Sequence, residues 1–360
     1  MGFLLFADII FPMRIAIDTS PLFTGHESRG IGAYTKNLVE EFKSGKWDFD
    51  FVFFDGKNYP ADADLVHYPY FDLYFRTLPL KRDKVRIVTI HDVIPLVFPQ
   101  HYPAGLKGRI NFFFQKFALK NVDAVICDSR TSKEDIANKL SVPKSKIHVV
   151  YLAASPSFKK IDDQNFLNEV SKKYKLPKKF VLYVGDVNWH KNIENMLKAV
   201  KIAGCDLVIV GRAMVDDNIP QTREINGFIA KLGLNKRIIK TGFIEENDLA
   251  AIHNLAKFTL LPSYYEGFGL PVLESMACGT PVVASNVASI PEISKDNIFF
   301  CEPTDPRDIA KKIKEVFSMQ QDKRDNLSRK LIDEAKKFSW HRVAAETANV
   351  YRSAINFRGR

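Results

Sequence analysis

Cysteine is scarce in this chain, with four residues among 360. Cys127, Cys205, Cys278 and Cys301 lie far apart, and none belongs to a C-x-x-C pair or to a zinc-ligand spacing. The pattern argues against a disulfide scaffold and a zinc module. Three of the four lie in apolar contexts, so we expect buried free thiols, as in a reducing compartment, and a cytoplasmic protein.

Long apolar runs are also lacking. No stretch of about twenty apolar residues occurs, so no transmembrane helix is predicted. Residues 1–12 are apolar, but they have no basic start and contain Asp8, which argues against a signal peptide. Because a strand pattern starts at Met13, we interpret residues 1–12 as an upstream extension or a misassigned start. A small membrane anchor is the less favoured alternative.

Two further patterns are missing. No G-x-G-x-x-G fingerprint follows an opening strand, which argues against a dinucleotide-dependent oxidoreductase. No metal site is predicted either. D-x-D strings occur at residues 48–50 and 62–64, but the first alternates with aromatic residues as an edge strand does. The chain contains 42 acidic residues, so such strings arise by chance.

What the chain does contain is a repeated alternation of strands and helices. Its 360 residues, 46% of them hydrophobic, exceed what one core usually holds and indicate two domains. Two successive strand–helix series predict an α/β fold with two doubly wound parallel sheets. A charged connection after residue 150 indicates a hinge, so we assign residues 1–158 to the first domain and 159–340 to the second. Strands are predicted at 14–18, 49–54, 65–68, 86–90, 124–127 and 147–150, then at 180–184, 207–210, 238–241, 258–261, 281–284 and 298–301, with helices notably at 32–42, 106–121 and 132–140.

The most informative segment is 258–285, FTLLPSYYEGFGLPVLESMACGTPVVAS. Apolar runs at its two ends predict parallel strands. Between them Pro271 favours a helix start and a glycine its end, so a helix of about two turns carries Glu274 in its first turn. Glu266 lies in the preceding loop, at the strand end where open parallel sheets bind ligands. Gly269 and the free N–H groups of the helix start favour a bound phosphate.

The two glutamates, in EGFGLPVLE followed by A-x-G-T-P-V-V-A-S, resemble the signature of the nucleotide-sugar-dependent glycosyltransferases of family four. The resemblance implies the GT-B fold, in which two Rossmann-like domains face a central cleft. The first domain would bind the acceptor and be completed by a C-terminal helix at about 341–360, and the second would bind the nucleotide sugar. A retaining, metal-independent transferase is implied, with a nucleotide-diphosphate sugar as donor and no separate cofactor.

The resemblance also implies contacts to the donor from the signature segment. Glu274 would bind the ribose hydroxyls, and Glu266 would lie near the sugar. The backbone of Phe268, Gly269 and Leu270 would hold the pyrophosphate.

Other donor contacts are expected at the ends of neighbouring strands. Lys191, in GDVNWHKN, precedes a predicted helix at the place where the family lysine reaches the pyrophosphate, and a solvated lysine is the alternative. Many relatives have arginine directly after the glycine, where this chain has Asp186. Arg212 is therefore a candidate for the missing charge. Gly242 and Phe243 occupy the place where relatives hold the base.

The first domain contributes two candidate elements. Gly30 and Gly32 lie where a loop enters a helix in SRGIGAYTKNLVEEF, and a merely flexible loop explains them equally well. The resemblance implies that their amides face the donor phosphates or the acceptor. His91 follows the predicted strand 86–90 in TIHDVIPL, at the ligand edge of its sheet. The resemblance implies that His91 contacts the transferred sugar, with a structural turn histidine as the alternative.

The formal charge of +10 indicates an acidic partner. Nucleotide sugars and anionic lipid fit, whereas a nucleic-acid binder would account for the charge alone. In GLKGRINFFFQKFALK, basic residues flank four phenylalanines, as in helices that lie in a membrane interface. A core helix is the favoured alternative. However, Phe112, Phe113 and Phe114 cannot all face one core, so at least one should lie near the surface.

These features predict a retaining glycosyltransferase that acts on a glycan or lipid-linked acceptor in cell-surface polysaccharide or glycolipid synthesis. Glu266, Lys191 and His91 are its predicted catalytic residues. The HD-x-I-P-L string resembles mannosyl-type members and favours GDP-mannose, with UDP-sugars as the alternative. A GT-B sugar-nucleotide epimerase and, less well supported, an oxidoreductase are the rival functions. Any membrane contact would be peripheral, at the inner face, and no nucleic acid is expected.

Overall fold

The computed structural model describes residues 12–24, 30–56 and 58–358. Almost all of the predicted extension at residues 1–12 lies outside the described residues. The described chain forms an α/β structure with two six-stranded parallel sheets, which confirms the predicted fold class. Strands form where β-branched and aromatic residues run together, and their continuous apolar character reflects burial on both faces.

The first sheet consists of β1 (Met13–Asp18), β2 (Phe49–Phe54), β3 (Leu65–Tyr68), β4 (Val85–Thr89), β5 (Ala124–Cys127) and β6 (Ile147–Val149). Its strand order is β2-β1-β3-β4-β5-β6, and every neighbouring pair is parallel. Segments that follow β4 and β5 therefore leave the same edge of the sheet side by side.

The second sheet consists of β7 (Phe180–Val184), β8 (Asp206–Val210), β9 (Ile238–Gly242), β10 (Phe258–Leu261), β11 (Val282–Ser285) and β12 (Phe299–Cys301). Its order is β12-β11-β10-β7-β8-β9, again with parallel neighbours. Because β10 pairs with β7, the loops that follow these two strands are adjacent although they are distant in sequence.

Helices cover the faces of both sheets. Those of the first series are α1 (Gly30–Ser44), α2 (Ile94–Val97), α3 (Leu106–Lys120) and α4 (Arg130–Leu140). Those of the second series are α5 (Gln164–Lys173), α6 (Ile193–Ala203), α7 (Pro220–Leu232), α8 (Glu246–Leu255), α9 (Leu270–Ala277), α10 (Ile290–Ile293), α11 (Pro306–Phe317), α12 (Gln321–Ala335) and α13 (Trp340–Arg358).

Two helix starts differ from the prediction. Helix α1 begins at Gly30 rather than at the predicted Gly32, so both glycines lie within its first turn. Helix α9 begins at Leu270, because Gly269 adopts a φ of +102° at the capping position. Proline is tolerated anywhere in a first turn, where its missing N–H has no intrahelical partner. Glu274 consequently lies in the second turn of α9, not the first.

The last helix returns to the first sheet. Helix α13 packs against α1, β4 and β5. Its Tyr351 is fully buried, and the hydroxyl oxygen lies 2.7 Å from Nδ1 of His67 on β3. The end of the chain thereby covers a sheet whose strands come from its beginning.

Loops at the carboxyl edges of the two sheets contact each other. Ser129 Oγ, after β5, donates to the carbonyl oxygen of Gly267, after β10, at 2.7 Å. Glu292 of α10 accepts hydrogen bonds from the backbone N–H groups of Arg130 and Thr131 at 2.8 and 3.0 Å. A carboxylate from the second half of the chain thus caps the N-terminus of α4 in the first half.

Within the described ranges, no helix has both the length and the apolar character needed to cross a bilayer. All four cysteines are free. Cys127, Cys278 and Cys301 are buried, and Cys205 is half-buried.

Candidate active site

The loop that follows β10 is held by serine hydroxyls. Ser263 Oγ donates to Oε1 of Glu266 at 2.7 Å. Ser289 Oγ lies 2.9 Å from each of two loop carbonyl oxygens, those of Glu266 and Phe268. The loop is therefore fixed by its own surroundings before any ligand binds.

Both glycines of this loop allow close approach. A Cβ on Gly267 would lie 2.8 Å from Cβ of Asp92, which belongs to the opposite sheet edge. A Cβ on Gly269 would lie 2.5 Å from Cδ1 of Ile290, and the φ of +102° at this position is rare for other residues. Glycine is required at Gly269 by backbone conformation and at Gly267 by contact with the facing domain.

The half-buried Lys191 forms an ion pair with the buried Glu266. Lys191 Nζ lies 2.8 Å from Oε1 and 2.9 Å from Oε2 of Glu266. Burial alone would raise the pKa of Glu266, but the Lys191 ammonium and the hydrogen bonds from Lys191 and Ser263 together lower it below its ordinary value. The structure therefore brings together two residues that the sequence singled out separately, as a charged pair at one sheet edge.

Lys191 is placed by a tight turn after β7. The 3-10 turn Trp189–Lys191 ends at Asn192, whose φ is +56°. Asn192 Nδ2 donates to the carbonyl oxygens of Pro262 and Pro303, both at 2.7 Å. These bonds tie the lysine segment to the loop that carries Glu266.

Side chains from the first half of the chain also contact the turn Trp189–Lys191. The His101 ring stacks on Trp189 at 3.5 Å, and Tyr264 stacks near the same indole at 4.9 Å. Tyr102 Oη lies 2.6 Å from Nδ1 of His190, whose pKa is lowered to about 4, chiefly by burial. The Tyr102 hydroxyl also accepts the backbone N–H of His190 at 3.3 Å. The position of Lys191 thus depends on side chains from both halves of the chain.

Glu274 lies apart from this pair in a poorly solvated position on α9. Burial raises its pKa to about 8, and Glu246 contributes in the same direction. Nε2 of the fully buried His253 lies 3.9 Å away, beyond hydrogen-bond distance, and burial lowers the pKa of His253 to about 3. In the ligand-free protein Glu274 therefore holds its proton near neutral pH, and a ligand that donates hydrogen bonds would favour its ionised form.

His91 leaves the end of β4 and faces two acceptors. Its Nδ1 lies 2.7 Å from Oδ2 of Asp128, and its Nε2 lies 3.2 Å from the carbonyl oxygen of Pro69. The ring also meets Tyr34 of α1 edge-on at 4.8 Å. Burial opposes the charged form, but the attraction of Asp128 outweighs it and the pKa of His91 is raised.

Sequence analysis missed Asp128. It directly follows β5, just as His91 follows β4, and the two strands are neighbours. A polar residue after an apolar strand was the signal that identified His91, and the same rule applied to Asp128 would have found it. Its Oδ1 atom is buried and has no hydrogen-bond partner among the described residues.

The remaining donor-side candidates lie further along the second sheet edge. Arg212 is exposed two residues after the end of β8, and Phe243 is exposed directly after β9. Gly242 has a φ of +74°, and a Cβ at this position would lie 3.2 Å from Cγ2 of Val215, in the turn that Arg212 begins. Asp186 Oδ1 accepts a hydrogen bond from the backbone N–H of Val187 at 2.6 Å. The Asp186 carboxylate is therefore bonded to the backbone of its own loop.

On the first sheet, Gly30 is exposed and Gly32 is buried in the opening turn of α1. Tyr34 in the same turn region touches His91, so this helix start adjoins the histidine. The first N–H groups of a helix have no intrahelical acceptor, and they remain able to bind an anion although the glycines are helical.

The aspartates of the two D-x-D strings bind arginine residues. Asp48 forms a bidentate pair with Arg352, while Asp50 and Asp62 both pair with Arg14. Asp64 accepts the backbone N–H of Arg14 at 2.7 Å. Over residues 12–24, 30–56 and 58–358, no three His, Cys, Asp or Glu side chains converge as metal ligands do.

Two six-stranded parallel sheets whose carboxyl-edge loops contact each other form the GT-B architecture, and comparison with known proteins agrees. Residues 56–157 match the family "Glycosyltransferase Family 4", and residues 166–338 match "Glycosyl transferases group 1". The chain is 30% identical over 282 residues to O-antigen chain mannosyltransferase B of Escherichia coli, covering 74% of this chain and 70% of that protein. The protein belongs to this glycosyltransferase family and is a glycosyltransferase.

Two further proteins are similar to the chain, one over part of its own length and the other in fold. The chain is 26% identical over 300 residues to the serotype-specific mannosyltransferase WbdA of Escherichia coli, covering 81% of this chain but only 35% of WbdA. The sucrose-phosphate synthase of Thermosynechococcus elongatus superposes with a TM-score of 0.74 at 18% identity, covering 97% of this chain and 100% of that chain. The latter likeness concerns the fold alone.

Proposed function

We propose that this glycosyltransferase moves a mannosyl residue from GDP-mannose to a hydroxyl of a growing glycan or lipid-linked acceptor, with retention of configuration. The observation that carries the proposal is the ion pair of Lys191 with the buried Glu266, at a sheet edge that meets the loop of His91. The mannosyltransferase relatives support mannose and a role in surface polysaccharide synthesis. A UDP-sugar is the alternative donor.

In the proposed step, the bond between sugar C1 and the diphosphate oxygen breaks, and a bond from C1 to the acceptor oxygen forms on the same face. The acceptor proton passes to a donor phosphate oxygen. Lys191 and the first N–H groups of α9 stabilise the charge that grows on the departing diphosphate. Because these fixed groups neutralise the diphosphate, transfer should proceed without a divalent metal.

Glu266 and His91 would act on the sugar. Before the donor arrives, Glu266 holds Lys191; the diphosphate then competes for the ammonium and leaves the carboxylate available to sugar hydroxyls. His91 can exchange the carbonyl oxygen of Pro69 for a sugar hydroxyl, since both are acceptors for its Nε2 proton.

The nucleotide would occupy the edge of the second sheet. Glu274 would accept hydrogen bonds from the ribose hydroxyls, which requires the loss of its proton. The other contacts in this proposal are the backbone of Phe268, Gly269 and Leu270 at the pyrophosphate, Arg212 as an additional cation, Gly242 and Phe243 at the base, and the first turn of α1 with Gly30 and Gly32 across the cleft.

The donor is tested first by thermal unfolding with a panel of GDP- and UDP-sugars. A ligand at about one hundred times its Kd adds about 2.7 kcal/mol of stability. We expect the largest shift with GDP-mannose. If a UDP-sugar gives a larger shift, that sugar nucleotide replaces GDP-mannose as the proposed donor. The proposed transfer chemistry would not change.

The reaction is tested by proton NMR of an early mixture of GDP-mannose, acceptor and enzyme. We expect an α-linked product from the α-linked donor, stoichiometric GDP, and unchanged rates in EDTA. An inverted product, or activity lost in EDTA and restored by manganese, would contradict the mechanism. Conversion of the sugar nucleotide without acceptor would favour the epimerase alternative.

A further inference from the structure

One side of α3 carries large apolar side chains that face solvent. Leu106 is 79% exposed, Ile110 49%, Phe113 70% and Phe117 51%. Successive steps of four, three and four residues place these four side chains in one line along the helix. The prediction that at least one consecutive phenylalanine lies at the surface is confirmed by Phe113.

The opposite side of α3 supplies the core contact. Gln115, Ala118 and Leu119 are buried there, and Phe112 packs beside Tyr74. These buried residues attach α3 to the core, and the exposed apolar side chains take no part in that contact. Core packing accounts for one side of α3 and leaves the row of four apolar residues unexplained.

A neighbouring loop extends this apolar surface. Phe75 is 67% exposed. Its two flanking residues are tied to α3, because Asn111 Nδ2 donates to the Tyr74 carbonyl oxygen at 2.9 Å and Arg76 Nε donates to Asn111 Oδ1 at 3.2 Å. We call Leu106, Ile110, Phe113, Phe117 and Phe75 together the α3 face.

The rim of the α3 face is basic. Lys107, Arg109 and Lys120 are exposed, Lys116 is half-buried, and no acidic residue occurs in α3. The guanidinium of Arg76 lies over the Phe114 ring at 4.2 Å. Long basic side chains beside an apolar stripe can extend to anionic headgroups while the stripe enters the acyl boundary.

We infer that the α3 face docks on an anionic lipid bilayer. A line of apolar side chains along a helix axis fits a flat apolar boundary, and the basic rim fits the charge of the leaflet. A second copy of the chain fits less well, because a symmetric contact would place Lys107, Arg109 and Lys116 against their own counterparts. Docking is independent of the proposed sugar transfer, although it would hold the first domain where a lipid-linked acceptor resides.

The test is flotation of the full chain with vesicles of phosphatidylcholine and phosphatidylglycerol. The wild type should float with these vesicles, less at high salt, and not with phosphatidylcholine alone. The triple variant Lys107→Gln/Arg109→Gln/Lys116→Gln should bind about a hundredfold more weakly, since each basic residue contributes about fivefold. The variant Phe113→Ser/Phe117→Ser should also lose binding, with its folding preserved because both side chains are exposed.

Matched controls come from the second half of the chain. Arg307→Gln/Lys311→Gln/Lys314→Gln on α11 makes the same charge change, and Ile202→Ser on α6 removes an apolar residue about as exposed as Ile110. Both controls should float like the wild type, and all variants should keep the thermal shift with the donor.

Three results would overturn the inference. The first is a wild type that does not float with anionic vesicles. The second is unchanged binding of Phe113→Ser/Phe117→Ser, which would mean surface adsorption by charge alone. The third is a dimer, in analytical ultracentrifugation without lipid, that the same variant converts to a monomer. The donor shift reports the proposed function separately from all three.

Discussion

The imidazole of His91 is held between the Asp128 carboxylate at 2.7 Å and the Pro69 carbonyl oxygen at 3.2 Å. The Pro69 carbonyl oxygen and an ionised Asp128 both accept hydrogen bonds, so this arrangement favours the charged form of His91, in line with its raised pKa. Asp128 thereby sets the charge and orientation of a residue at the ligand edge of the first sheet. We regard Asp128 as a positioning residue for His91.

The first prediction is that Asp128→Asn lowers the pKa of His91. The alkaline limb of the kcat/KM profile should move to lower pH, because the charged imidazole loses its carboxylate partner. The measurement is the pH dependence of kcat/KM together with an NMR titration of the His91 ring. In His91→Gln the same limb should disappear. An unmoved limb in Asp128→Asn, with the fold intact, would assign the limb to another group.

The Asp128→Asn variant should also change how the free energy of unfolding depends on pH. The folded pKa of His91 is raised, so its stabilisation is fully present below about 6.5, the ordinary histidine pKa, and is lost as pH rises through the folded value. Unfolding in urea at a series of pH values should show this decline in the wild type and less of it in Asp128→Asn.

The second prediction is that Lys191→Ala lowers kcat by about 10²–10³-fold and raises KM much less. Charge on the diphosphate grows as the sugar departs, so the ammonium acts mainly on the transition state. Steady-state kinetics with the donor measures both constants. Lys201→Ala, an exposed lysine on α6, is the control and should be neutral.

This variant also leaves Glu266 buried without its partner, which costs up to about 3–5 kcal/mol of stability. The double variant Lys191→Ala/Glu266→Gln should recover most of that stability and none of the turnover. Recovery of turnover in the double variant would show that the single variant failed through misfolding. A rise in KM at unchanged kcat would restrict Lys191 to ground-state binding.

The third prediction concerns Glu274, whose pKa is raised to about 8 by burial. The unfolded chain loses this proton near pH 4.5, so the group's contribution to stability falls as pH rises between about 4.5 and 8, by about 1.4 kcal/mol per pH unit. Glu274→Gln should therefore be more stable than the wild type at pH 8 and equal to it near pH 4.5. Urea unfolding at the two pH values provides the measurement.

The same Glu274→Gln change should weaken donor binding, since charge-assisted hydrogen bonds to ribose hydroxyls are worth about 1.5–3 kcal/mol each. Calorimetric titration in buffers of different ionisation enthalpy should also show proton release on donor binding to the wild type and none in the variant. Unchanged affinity in the folded variant would remove Glu274 from the donor site. Equal stability at both pH values would mean that this carboxyl is not desolvated.

The fourth prediction concerns Glu292, which links the two halves of the chain. Its carboxylate accepts from the N–H groups of Arg130 and Thr131 and from the Tyr151 hydroxyl, at 2.8 to 3.0 Å. Glu292→Ala should cost about 1–2 kcal/mol, as the loss of a helix cap does, and Glu292→Gln less. Thermal unfolding provides the comparison, with the exposed Glu224→Ala as control. Equal effects of the Ala and Gln variants would argue against capping by charge.

Much of the fold was already determined by local sequence. Each predicted strand is present, because a buried parallel strand is a continuous apolar run that turn residues punctuate. The loop with Glu266 was placed correctly at the end of β10 because strand, glycine turn and helix are neighbours in the chain. Helix starts were less certain, since glycine and proline are both compatible with several positions in a first turn.

Contacts between distant residues were decided only by the tertiary structure. The pairing of Lys191 with Glu266 requires β10 to lie beside β7, and that of His91 with Asp128 requires β5 beside β4. The outward direction of Phe113 requires knowledge of the side that α3 buries. Apolar periodicity specifies that a segment becomes a strand or a helix, but strand order and helix orientation depend on which surfaces pack together across the whole chain.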